Sequence, residues 1–444
     1  MTDREAAAGA PVATGAPLPA GPAEASSRAS REGCYGWLTV AALTAVVAVS
    51  WARYLNAPLG DNHLGRITGR YALHLRNLRE KGLFDSSWGA DWSPYARNPY
   101  AHHPPLRNVL DVAFGALPGD AEYQLRLGPF LLALLAVPAA AALLRAFGVR
   151  WAPTLLATAG MAATPFFWVY AQVGFDLGPI LLLSALVVHL RRRADPPRWQ
   201  VATAAATAVV AALGSWPGLA FAVTLTGWLW LARRWDRVTA ALAAATAAGS
   251  LVSLAYMSGV NGPRALAAQA ELRTVGGAIT VAEFLDRQAE HLTAMLPAWY
   301  LALAPFALVA GWLPRPAGAV VASVVAAALA VAFATVGFGD TARRYVERPA
   351  DAGRLVRQHP PAAGQEVAWH VQLGAPRWLT YYWDLPPRRS SPRTLAEAAR
   401  PDDLVVVNLA DLPDWLPPGV APRAVASEGT YGLFRAADLL AAAR

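Results

Sequence analysis

Nine apolar runs divide the chain: 35–51, 125–146, 152–170, 177–190, 199–214, 217–232, 238–257, 294–313 and 317–337. They are nearly free of charge, and most approach the roughly 20 residues that a helix needs to cross a bilayer. The pattern predicts a mainly α, polytopic membrane protein with about nine transmembrane helices. Residues 1–34 are Ala, Pro, Gly, Ser and Glu without apolar periodicity, and they read as a disordered tail. The first run reads as an uncleaved anchor, because its polar leader is long and Val49-Ser50-Trp51 lacks the small residues of a cleavage site.

Two stretches depart from the apolar pattern. Between the first two runs, Leu64, Ile67, Tyr71, Leu75 and Leu78 recur at spacings of three and four, one apolar stripe of a helix. Arg66, Arg70, Arg76 and Arg79 fill its other positions, and Gly82 stands where it would stop. Such a helix suits a membrane surface, with its stripe at the headgroup boundary. From position 338 the composition changes again. Gln365 to Gln372, Leu404 to Leu409 and Tyr431 to Phe434 read as strands. Asp351 to Gln358 and Thr394 to Arg400 read as helices, so 338–444 forms a small C-terminal α/β domain. Its Trp378, Tyr381, Tyr382 and Trp383 are candidates for sugar stacking, with core packing the commoner use of such residues.

Composition narrows the class. The chain is 55% hydrophobic and 15% charged, against roughly 25% charged in a soluble domain. A soluble enzyme is excluded, and the single Cys34 excludes a disulfide scaffold. The net charge of +8 follows from topology and implies no nucleic-acid partner. Arg145 and Arg150, then Arg191, Arg192, Arg193 and Arg198, then Arg233, Arg234 and Arg237, then Arg315 fall in alternate connections. The turns near Asp176 and Ser215 carry no Arg. The positive-inside rule then puts the N-terminus in the cytoplasm and the C-terminal domain outside. The segments 52–124, 258–293 and 338–444 face the exterior. In the second of these, Thr280 to Glu283 reads as a capping box. Arg264, Arg273, Arg287 and His291 lie around it as solvated charges or phosphate contacts.

Chemistry therefore belongs to the outer loops. Asp61 opens the amphipathic helix directly after the first span, where a carboxylate serves as an N-cap and, staying ionised, can also accept a proton. Asn62 and His63 follow it. Farther on, Trp88 to Leu106 is rich in turns and aromatics and contains Asp91, Tyr100 and His102-His103-Pro-Pro. Its aromatics read as an interfacial belt, and adjacent imidazoles on an extended X-Pro segment can meet a phosphate or a metal. Two histidines do not make a metal site without further ligands, and the sequence offers no convincing ligand set.

The order of Asp61, amphipathic helix, aromatic turn, His103-Pro-Pro-Leu106 and Tyr123-Gln-Leu-Arg126-Leu resembles the integral-membrane glycosyltransferases of the GT-C superfamily, family 39-like. The resemblance lies close to the protein-mannosyltransferase and aminoarabinose-transferase-like group. Phe175-Asp176-Leu-Gly-Pro179 fits that group's later aspartate. Two departures stand out: the second acidic residue of the first loop is Asn62, and Arg-Leu-Pro is Arg126-Leu-Gly-Pro129. The resemblance covers 35–190, and the rest in layout only.

The resemblance implies an inverting transfer from a polyprenyl-phosphate sugar to a glycan, lipid or protein acceptor. It places this at the outer face of a bacterial cytoplasmic (inner) membrane and allows a divalent cation. Asp61 would be the general base. His102, His103 and Arg126 would meet the departing phosphate, with Asp176, Asn62 and Tyr100 completing the substrate site. The rival class is a non-catalytic transporter or lipid-binding component, which would show paired, interrupted polar spans; this chain has none in its sequence.

Overall fold

The structure, a computed structural model, describes residues 22–94, 99–170, 176–232, 236–274, 342–371, 373–374, 376–411, 416–417, 419–420 and 422–444, with isolated positions at 280–290, 324 and 339. Helices α1 (Pro22–Ala52), α2 (His63–Asp85), α3 (Leu106–Gly115), α4 (Ala121–Ala146), α5 (Trp151–Ala162), α6 (Pro165–Tyr170), α7 (Leu177–Arg191), α8 (Arg198–Gly214), α9 (Trp216–Leu231), α10 (Arg237–Asn261) and α11 (Pro263–Thr274) follow in order. Of these, α1 and α4 to α10 account for the first seven apolar runs. Residues 32–52 of α1, with α4 and α10, are long and apolar enough to cross a membrane, and α7 and α9 are shorter apolar helices. The protein is a membrane protein. The expected spans at 294–313 and 317–337 lie outside the described residues, apart from position 324.

Three differences from expectation have physical causes. Helix α1 begins at Pro22, inside the expected tail, where Pro opens the helix and Ala and Glu prolong it. The run 152–170 is broken at Thr164-Pro165, where the Thr164 hydroxyl accepts the Phe167 N–H at 3.1 Å and so caps a new helix. Helix α2 runs past Gly82, which takes a positive φ of 79° and kinks it there.

The C-terminal domain contains α12 (Arg348–Gln358), entered through a π-turn at Arg343–Glu347. It continues through β1 (Ala368–Val371), α13 (Arg377–Trp383), β2 (Pro387–Arg389), α14 (Pro392–Ala398), β3 (Leu404–Asn408), β4 (Ala424–Glu428), β5 (Tyr431–Arg435) and α15 (Ala436–Ala442). Its sheet has the order β2-β1-β3-β5-β4. The first three strands are parallel, and β5 is antiparallel to both β3 and β4. Trp369, Val405, Val407 and Phe434 line one face of the sheet against Leu395 and Leu439.

The opposite face decides where the site lies. Tyr71 and Leu75 of α2 share one buried cluster with Leu355, Trp378, Leu379, Trp383 and Leu433. The α2 stripe is therefore covered by the C-terminal domain and not by lipid headgroups, and Trp378 and Trp383 are core residues. At the other end of the first loop, Trp51 of α1 packs on Trp168 with ring centres 4.8 Å apart. Val346 of the π-turn joins that cluster.

Candidate active site

Residues 54–62 cross from the end of α1 to the start of α2 as a strap pinned on every side. Arg126, buried at the head of α4, donates to the carbonyls of Leu55 (3.0 Å), Tyr54 (3.4 Å), Pro58 (3.4 Å) and Ala57. Tyr382 of α13 accepts the Leu59 N–H at 2.9 Å and donates to the buried Glu122 carboxylate at 2.7 Å. Burial, and then Glu122, raise the Tyr382 pKa well above its ordinary value, so it stays a donor. The strap and α12 approach backbone to backbone. A Cβ on Gly60 would fall 1.9 Å from the Pro349 carbonyl oxygen, and one on Gly353 1.9 Å from that of Leu59.

This packing delivers Asp61, half-buried, to the junction of the first loop and the C-terminal domain. Its N–H donates to the Pro349 carbonyl at 3.3 Å, and its Oδ2 accepts the Gly374 N–H at 3.3 Å. The N-cap of α2 is Asn62, not Asp61: Asn62 Oδ1 accepts the Gly65 N–H at 2.7 Å. The other end of that amide donates to the Tyr345 carbonyl at 2.7 Å. Asn62 is thus a structural clip, and Asp61 is relieved of the capping role.

Next along the loop, the turn bearing Tyr100 is tied to the start of α9 and the end of α10. Trp216 Nε1 donates to the His102 carbonyl at 2.7 Å, and Asn261 exchanges two hydrogen bonds with the Ala101 backbone at 2.7 and 3.2 Å. Tyr100 gathers His102 (4.6 Å between ring centres), His103 (6.1 Å) and Trp92 (5.3 Å). Two guanidiniums flank the aromatic pair: Arg70 lies 3.8 Å from the Tyr100 ring centre, and Arg377 lies 4.6 Å from that of Trp92. The sequence marked Arg70 only as decoration and did not mark Arg377. Their placement depends on contacts across the fold that no local spacing reveals.

The remaining candidates fall into place around this junction. Asp91 is locked by Lys81 at 2.6 Å and by the Ser93 N–H and hydroxyl at 3.0 and 2.8 Å. Burial pushes its carboxyl up, but these partners together hold it below the ordinary value. Asp176 heads α7 half-buried, and its side chain does not cap the helix. The Thr280–Glu283 capping box forms as the sequence predicts, at 2.8 and 3.2 Å. Arg264 lies on α11, whereas Arg273 lies in that helix without a described side chain, and Arg287 and His291 are outside the described residues. Beside the Tyr100 turn, an apolar groove of about 580 Å³ runs between α2, α3 and α10, lined by Leu78, Trp88, Val109, Val112 and Val252. At its floor Asn108 donates to the Tyr256 hydroxyl at 2.6 Å. Among the described residues, no three His, Cys, Asp or Glu side chains converge to hold a metal.

No family model and no curated protein matches the chain at the level of sequence. Its fold matches the crystal structure of ArnT from Cupriavidus metallidurans in the apo state, with a TM-score of 0.51 and 18% identity, over 92% of this chain and 99% of that one. It likewise matches the structure of ArnT from Cupriavidus metallidurans bound to undecaprenyl phosphate, with a TM-score of 0.52 and 16% identity, over 90% of this chain and 98% of that one. Along nearly its whole length, the chain has the fold of these two ArnT structures.

Proposed function

We propose that the protein transfers a sugar from a polyprenyl-phosphate donor to an acceptor hydroxyl at the outer face of the bacterial cytoplasmic membrane, with inversion. In this topology the N-terminus is cytoplasmic and the C-terminal domain lies outside. The observation that carries the proposal is the separation of roles at Asp61-Asn62. Asn62 caps α2, so the fold does not need the Asp61 carboxylate as a cap, and the strap aims that carboxylate at the interdomain junction.

In the reaction, an acceptor hydroxyl gives its proton to Asp61 as its oxygen attacks the anomeric carbon. The bond from that carbon to the phosphate oxygen breaks, and polyprenyl phosphate leaves with the electron pair. His102 and His103 stand beside the leaving group as donors to the growing charge. Tyr100 orders them, and Asp176 contributes to sugar binding. Arg126 acts as a positioning residue, because its guanidinium is committed to four strap carbonyls. The ArnT structure with undecaprenyl phosphate supports a donor of this class.

The test is reconstitution of the full chain in proteoliposomes with a panel of radiolabelled undecaprenyl-phosphate sugars. The expected outcome is release of undecaprenyl phosphate with at least one sugar when cell-envelope glycolipids are supplied as acceptors. Transbilayer movement of the intact donor with no release would favour a transporter instead.

A further inference from the structure

The sheet of the C-terminal domain has a topological switch point. Strands β2, β1 and β3 are parallel, and β1 stands between the other two. Leaving β1, the chain passes through α13 on the sheet face of Trp378, Leu379 and Trp383 and reaches β2. It then returns through α14 on the opposite face, that of Leu395, and reaches β3 on the far side of β1. Where two crossovers part in this way, such sheets bind ligands in the crevice outside the carboxyl ends of the strands. Here that crevice begins just beyond Val371, the last residue of β1.

The segment that leaves this strand end lies against the first loop. Leu373 is buried in the cluster shared with α2. Gly374 follows, exposed, and its N–H donates to Asp61 Oδ2 at 3.3 Å. Three residues farther on, Arg377 lies 4.6 Å from the ring centre of Trp92, which packs on Tyr100. Three residues span at most about 11 Å, so one short segment bridges Asp61 and the turn of His102 and His103. Both of its ends are fixed: Leu373 is in the core, and a Cβ on Gly69 of α2 would fall 2.7 Å from the Trp378 backbone N. Gly60, Gly69 and Gly353 are glycines because a neighbouring backbone leaves no room for a Cβ. Gly374 differs from all three. A Cβ there would meet no atom within 4 Å among the described residues, and its φ lies outside the left-handed region. The room it leaves lies beside the Asp61 carboxylate.

We infer that Gly374 is a specificity-determining position for the acceptor, whose atoms next to the attacking hydroxyl occupy the space left by the missing side chain. This rests on Asp61 as the base and on transfer with inversion, as proposed above. Inversion puts the nucleophile and the leaving group on opposite faces of the anomeric carbon. With the phosphate beside His102 and His103, the acceptor enters from the strap side, across Gly374. A hydroxyl comes within the roughly 2.6–3.2 Å of a base that proton transfer needs only if the carbons that carry it also fit.

The test is the graded series Gly374→Ala, Gly374→Val and Gly374→Leu in the reconstituted full chain. Each variant keeps the N–H that holds Asp61. The probes are the radiolabelled undecaprenyl-phosphate sugar and the envelope glycolipid that the wild type uses. kcat/KM for the glycolipid should fall step by step with side-chain volume, by about 10- to 200-fold at Gly374→Leu, the range by which one misfitting methylene is rejected. Binding of the undecaprenyl-phosphate sugar, read by native mass spectrometry, and Tm should stay at wild-type values. Wild-type kcat/KM in Gly374→Leu overturns the inference and leaves Asp61 as the base. A loss of transfer that follows a lowered Tm in all three variants makes Gly374 a structural residue and also overturns it. Donor binding that weakens in step with transfer gives the space to the donor, with the same consequence. A wild type that transfers to no glycolipid, or an Asp61→Asn protein that transfers at the wild-type rate, would instead sink the reading beneath the inference.

Discussion

Two buried arginines organise the two halves of the first loop in opposite ways. Arg126 sits at the strap and is saturated with backbone carbonyls. Arg70 sits at the Tyr100 turn over aromatic rings, without a hydrogen bond or ion pair among the described residues. A saturated guanidinium is a fixture of the fold, and its energy is already counted in the folded state. The strap is the half held by backbone hydrogen bonds, and it fixes a carboxylate; the turn is the half held by aromatic contacts around Tyr100.

The comparison breaks most visibly at the two arginines themselves. Arg126→Met should destabilise the protein by roughly 3–5 kcal/mol, since charge-assisted hydrogen bonds contribute about 1.5–3 kcal/mol each and the strap carbonyls lose several. Arg70→Met should lose nothing. A thermal-unfolding series in one detergent checks both, and equal losses in the two variants would erase the distinction. A smaller effect belongs to Tyr382→Phe, which strips the Leu59 N–H of its acceptor and the Glu122 carboxylate of its donor. The expected cost is about 1–3 kcal/mol. Transfer should also slow, because the strap that carries Asp61 is loosened, and unchanged kinetics would argue that the strap needs no such tie.

The smallest effect concerns pH, and it probes two buried groups near Tyr71. Burial holds the Asp111 carboxyl at about 7 against the pull of Arg107, compared with 3.8 unfolded. The folded protein thus keeps a proton that the unfolded chain releases, and this contribution to stability is lost as pH rises from about 4 to 7. His74 works the other way. With its folded pKa at about 3 against 6.5 unfolded, it contributes stability that is lost as pH falls through that window. Relative to wild type, Asp111→Asn should make stability rise more steeply with pH, and His74→Asn should make it fall. The change should be at most about 1.4 kcal/mol per pH unit. Parallel curves for both variants would place these groups in water.

The legible part of the molecule was the part imposed by lipid. Apart from the early start of α1 at Pro22 and the break at Thr164-Pro165, the seven apolar runs became helices within a few residues of their limits, because a bilayer enforces length and composition. The sequence reads Asp61 as the cap of α2, and the structure gives that role to Asn62. Asp61 and Asn62 are both good caps, and only the backbone decides which of two neighbours starts the helix. The α2 stripe was legible and its partner was not, since Leu75 meets Leu355 and Trp378 some 300 positions away. Strand β2 is Pro387-Arg-Arg389 and β4 is largely exposed; neither carries the alternation that marks a strand. Arg70 looked like every other arginine on its helix until the fold buried it.

One substitution separates the proposed base, Asp61, from the cap, Asn62. Asp61→Asn keeps the shape of the side chain and leaves the Asn62 cap in place. In reconstituted transfer, the account predicts a fall in rate of about 10²–10⁴-fold, the usual contribution of general-base catalysis, at an unchanged Tm. Transfer at the wild-type rate by a fully folded Asp61→Asn protein would contradict it.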